Sequence, residues 1–122
     1  MKNMDGILDM LDHLLPSDAK KTVIYCEVEK NAYEVFYYSF FADGSCKQCY
    51  ELEAEGIVDA EILADGFENI AAFIRDSKEY DAEKRNVVTV VIEGVSENIK
   101  VDQYDRSVGL YKIKKEWKEK NL

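Results

Sequence analysis

TVIYCEVEKNAYEVFYYSFFADGSCKQCYELE, residues 22–53, is the stretch on which the fold turns. Its first run, Thr22 to Glu29, is rich in β-branched and aromatic residues and has strand length. The second, Tyr33 to Ala42, is apolar on both faces for much of its length, as a central strand is. Lys30-Asn31-Ala32 is a hairpin-sized connection, so the two runs are expected to pair antiparallel. Asp43-Gly44 is the strongest hairpin dipeptide in the chain, and Ser45 to Glu53 beyond it reads as a third, more polar strand.

Working outward, Ile7, Leu8, Leu11, Leu14 and Leu15 recur at spacings of three and four, which predicts an amphipathic helix over about 4–15, stopped by Pro16. On the other side, Val58, Ile62, Leu63, Phe67, Ile70, Ala71 and Ile74 predict a second helix within 58–85. Gly66 inside it costs about 1 kcal/mol relative to Ala and suggests a bend. Asn86 to Glu93 is the most β-like run, and Gly94-Val95-Ser96-Glu97 turns it into Asn98 to Tyr104. Val108, Leu110, Tyr111, Ile113 and Trp117 then predict a final amphipathic helix with its lysines in water. The order α-β-β-β-α-β-β-α predicts an α+β two-layer sandwich, an antiparallel sheet of about five strands with helices mainly on one face. No repeat, Pro- or Gly-rich linker or low-complexity segment interrupts it, so residues 1–122 are expected to form a single domain.

The charge is uneven. Twenty-five Asp and Glu against sixteen Lys and Arg give a net −9. Residues 111–122 hold five lysines and two glutamates, a net +3, which leaves −12 on the first 110 residues. Such a body attracts cations and basic proteins and repels nucleic acid. Three cysteines, an odd number, fit a reducing compartment. No apolar stretch approaches membrane-spanning length, and the N-terminal MKNMDGILDMLDHLL has acids where a signal peptide has a basic region. A cytoplasmic location without membrane association is the expectation.

Motifs that would carry chemistry are weighed against simpler explanations. Cys46-Lys47-Gln48-Cys49 has CxxC spacing, but zinc needs four ligands, and only Cys26 and His13 remain to supply them. Ordinary buried or half-buried cysteines are expected. His13 lacks a nucleophile and an orienting group for acid–base work and reads as a surface histidine near a helix C-terminus. The six glycines never approach phosphate-loop spacing, so no nucleotide cofactor is expected. Glu51, Glu53 and Glu55 would line one face of a strand, and Asp59, Glu61 and Asp65 would open the second helix. Either set could imitate a hydrolase or magnesium site, although such runs more often form solvated faces, and acids in a first helical turn also suit the macrodipole. Of the aromatics from Tyr33 to Phe41, Tyr37 and Tyr38 fall on opposite faces, so one tyrosine row is expected to reach solvent, where it would suit an interface.

The element order and three local stretches resemble the YezG-like family of antitoxin and immunity proteins, which includes immunity proteins of contact-dependent growth inhibition and related polymorphic toxin systems. The stretches are the leucine-rich first helix running into Pro16, the tyrosine-rich hairpin YCEVEKNAYEVFYYSFFADGS (25–45), and the ending VDQYDRSVGLYKIKKEW (101–117). The resemblance implies a small, non-enzymatic cytosolic protein that binds one secreted toxin domain and blocks its active site. Such toxins are frequently nucleases with basic clefts, which an acidic inhibitor complements.

The expected function is therefore neutralisation of a cognate toxin C-terminal domain, an RNase or DNase, by an immunity protein that is a monomer or weak dimer when free. Carboxylates of Asp59, Glu61, Asp65, Glu68, Asp76, Glu79, Asp102 and Asp105 are the candidate contacts, with Tyr37, Tyr38 and Tyr104 as candidate aromatic anchors. No catalytic, metal or cofactor-binding residue is expected. The alternatives are an acidic metal-dependent hydrolase and an adaptor that binds a basic host protein.

Overall fold

The computed structural model describes residues 3–122. Its centre is β1 (Lys21–Val28), in which every residue from Thr22 to Val28 is buried. A strand covered on both faces needs a nearly continuous β-branched and aromatic run, which this segment has. β2 (Tyr33–Phe40) pairs with one side of β1 and β4 (Arg85–Glu93) with the other, both antiparallel. A three-residue β3 (Cys46–Gln48) and a nine-residue β5 (Ser96–Tyr104) close the sheet, in the order β3-β2-β1-β4-β5. The fold is α+β with five antiparallel strands, as the sequence predicts.

Helices cover both faces of this sheet. A 3-10 turn (Met4–Gly6) leads into α1 (Ile7–Leu11), which packs beside α3 (Ala60–Arg75). The expected helix over 4–15 is therefore shorter, with Leu14 buried in the turn that follows. α3 buries Leu63, Phe67, Ile70, Ala71 and Ile74, one stripe at helical spacing. Asp59 caps it, its Oδ1 accepting from Glu61 N–H at 2.9 Å and Ile62 N–H at 3.1 Å. α3 runs unbroken through Gly66, and this glycine serves packing: a Cβ there would lie 2.4 Å from Leu14 Cδ2.

α4 (Leu110–Asn121) lies on the opposite face. Its Trp117 sits edge-on to Tyr25, with ring centroids 5.1 Å apart, and to Phe36 at 5.9 Å, and donates from Nε1 to Thr89 Oγ1 at 2.8 Å. The strand registers put Tyr25, Phe36, Tyr38 and Thr89 on this side. Ile24, Cys26, Val35 and Tyr37 face α1 and α3, where Tyr37 meets Phe67 edge-on at 6.4 Å. The expectation of helices mainly on one face thus holds for α1 and α3, and α4 adds a third layer.

The third strand departs most from expectation. After Gln48 the chain turns into α2 (Cys49–Ala54), so Glu51, Glu53 and Glu55 do not line a strand. Glu51 Oε1 accepts from the Gln48 N–H at 3.1 Å, the reach-back contact of a capping box. Gly56, at φ +75, then leaves the helix in a conformation suited to glycine.

Candidate partner-binding face

α3 exposes what its buried stripe leaves over. Glu61, Asp65 and Glu68 follow one another at spacings of four and three, so they form a single acidic ridge along its outer side. Among the described residues, none of these three carboxylates takes part in an ion pair or a side-chain hydrogen bond. Asp5, Asp9 and Asp12 add exposed acids from the neighbouring α1 region. Reversing charge on such an unpaired surface leaves the core untouched.

A cleft flanks the ridge on each side. One, of about 360 Å³, opens between α1 and α3 and is lined by Met10, Leu14 and Ile62, with His13, Asp65 and Asn69 at its polar margin. It exists because Gly66 lets the helices approach while Ile62, 52% exposed, stays outside the core. The second, of about 370 Å³, lies between α2, α3 and β2 and is lined by Tyr33, Tyr50, Ala64 and Phe67, with Glu34 and Glu53 at its acidic margin. Tyr50 donates to the Val35 carbonyl at 3.4 Å, and burial pushes its hydroxyl pKa up. Arg75 lies 6.0 Å from the Tyr33 ring centroid and donates to the carbonyls of Glu29 and Ala32, which fixes that corner. Apolar and aromatic pockets beside unpaired carboxylates suit the long stems and charged heads of Lys and Arg.

The other residues proposed from the sequence are dispersed. Asp59 is committed to its cap, while Asp76 is the exposed C-cap of α3. Glu79 is half-buried, and its carbonyl accepts from Gln103 Nε2 at 2.8 Å. Asp102 and Tyr104 lie on the α4 side, where Asp102 is 3.8 Å from Lys100. Asp105 accepts the Ser107 N–H at 2.9 Å, which holds its carboxyl below the usual range, and stands 3.8 Å from Lys84. Tyr37 is not an exposed anchor. It is 0% exposed under α3 and donates to the Leu14 carbonyl at 2.6 Å. Tyr38 is half-buried beside Phe36 and Trp117. Helices on both faces remove the open tyrosine row; Tyr33 and Tyr50, 42% and 49% exposed, reach solvent beside α3, and Tyr111, 80% exposed, does so on α4.

The cysteines are all free, Cys26 and Cys49 buried and Cys46 exposed. Among the described residues, no cluster of three or more His, Cys, Asp or Glu side chains is arranged to hold a metal ion. No described helix is long and apolar enough to cross a membrane. No protein-family model matches this sequence, and a search of curated proteins returned no match.

Proposed function

We propose that this protein is an immunity protein that binds a cognate secreted toxin domain, a nuclease, and neutralises it by laying the acidic α3 face across the toxin's basic active-site cleft. The observation that carries the proposal is the unpaired ridge Glu61-Asp65-Glu68 between two clefts, one largely apolar and one aromatic with an acidic margin. A nuclease holds phosphate with Lys and Arg, and a rigid row of carboxylates presents the competing charge without nucleic acid. The rigidity comes from α3 packing on the sheet through Leu63, Phe67, Ile70 and Ile74. In this arrangement Tyr33, Tyr50 and Ile62 supply apolar contact at the flanks, and the carboxylates speed encounter and set the choice of partner.

The test is a nuclease domain encoded immediately beside this chain, assayed for RNA and DNA cleavage with and without an equimolar amount of this protein. Cleavage is expected to stop. Full nuclease activity in the equimolar mixture would sink the proposal.

A further inference from the structure

We propose that two copies of this chain pair edge to edge through β5, joining their sheets into one continuous antiparallel sheet about a two-fold axis at Val101. The proposal begins with the hairpin that creates the edge. Glu93 pairs with Ser96 across Gly94-Val95, and only Gly94 has a positive φ, +60, which identifies a two-residue turn of the II′ kind. The closing pair of such a turn is hydrogen-bonded, and hydrogen-bonded pairs recur at every second residue. Ser96, Asn98, Lys100, Asp102 and Tyr104 therefore point their backbone groups at β4. Glu97, Ile99, Val101 and Gln103 point theirs outward, and among the described residues no backbone group answers them. The opposite edge, β3, is only three residues long and offers little to pair with.

A nine-residue edge with a free ladder invites pairing unless its side chains forbid it, and a lysine at the centre is the usual deterrent. Here the deterrent is selective. For an antiparallel second copy, outward groups must meet outward groups, so the register moves in steps that change which side chains oppose. Centred between Ile99 and Val101, the pairing sets Lys100 against Lys100; centred between Val101 and Gln103, it sets Asp102 against Asp102. Centred on Ile99, it leaves Lys100 opposite Asn98 and Asp102 opposite Ser96. Only centring on Val101 puts Lys100 opposite Asp102 of the other copy, and does so twice by symmetry. The same register pairs Tyr104 with Asn98, brings the two Val101 side chains together on the other face, and forms about six backbone hydrogen bonds. Lys100 and Asp102 already share a face, 3.8 Å apart within the chain, so both are in position for the exchange. α3 packs over β1 and β2, away from this edge, so the acidic ridge stays open in the dimer.

Sedimentation across a concentration series reads the dimer as a doubling of mass. Lys100→Asp and Asp102→Lys are each expected to weaken association by about tenfold or more, and the double exchange K100D/D102K to restore it, because the same register then pairs the swapped charges. A chain that stays monomeric throughout, a dimer indifferent to either single exchange, or a folded double variant that remains monomeric would each overturn the proposal. Amide exchange of the wild-type chain gives a second measurement that needs no variant. Protection of Ile99, Val101 and Gln103 rises with concentration if β5 pairs, and concentration-independent exchange at these amides would count against it.

Discussion

Glu27 is a carboxyl 4% exposed on the α4 side of the sheet, opposite Glu34 in the strand register, with the Tyr25 hydroxyl donating to its Oε1 at 2.7 Å. Burial pushes its pKa above the ordinary 4.5, and the Tyr25 hydrogen bond and Lys114, itself paired with Glu34, only partly offset this. A folded state that holds the proton more tightly than the unfolded chain loses stability as pH rises through the window from 4.5 upward. Glu27→Gln keeps an acceptor for Tyr25 and removes the buried charge. The variant is expected to melt about 3 °C above the wild type at neutral pH, with the gap closing as pH falls below the unfolded value. Melting curves between pH 4 and 8 check it, and a gap that does not vary with pH would refute the cause given. The thiols make a second prediction at this scale. Burial pushes the Cys26 thiol up to about 12 and raises Cys49 and Cys46 as well, but of the three only Cys46 is exposed. Iodoacetamide on the native protein should modify Cys46 alone, as read by mass spectrometry of its peptides.

α3 gains its start from Asp59, whose carboxylate answers two first-turn N–H groups. Asp59→Ala leaves them to water and is expected to cost about 1 kcal/mol, read as a fall of about 4 °C in melting temperature. A melting temperature within a degree of wild type would mean that packing alone fixes this terminus. The acid and the apolar stripe that follows it are plain in the sequence, and so are β1, β2, β4 and β5: the helix shows a period of 3.6, and the strands are β-branched and aromatic runs of strand length bounded by turn residues. α2 is hard to see in the sequence, although Gln48 and Glu51 have capping-box spacing, because the short segment Ser45–Glu53 follows a hairpin dipeptide and is long enough for a strand. Gly66 misleads for a related reason: a glycine required by Leu14 outside its helix looks, within that helix, like a weak point. The stripe Leu110, Ile113 and Trp117 announces that α4 is buried but carries nothing about which face receives it. That choice rests on long-range partners, Tyr25, Phe36 and Thr89, which only the folded sheet brings together. The candidate site was half legible on the same grounds. Its acids follow from helical spacing, whereas Tyr33 and Tyr37 differ only in whether α3 lies over them.

Across the whole molecule the sheet separates two charges that the sequence joins end to end. α3 carries its acids on one outer side, and α4 carries exposed Lys112, Lys115 and Lys118 on the other. The field is therefore directional, and an approaching basic protein is drawn to the α1–α3 side while α4 repels it. Because neither set of exposed charges supports the core, each can be reversed without dismantling the fold. E61K/D65K/E68K is expected to lower association with a basic toxin domain by on the order of a hundredfold and to release its nuclease activity. K112E/K115E/K118E alters net charge by the same magnitude in the opposite sense, yet should leave inhibition intact. The pair of variants separates a located surface from a general effect of net charge. Association rates measured at low and physiological salt check it, since steering by the α3 ridge fades with ionic strength. Equal losses from both triple variants would place the contact elsewhere, and no loss from the α3 variant would remove the ridge from the binding surface.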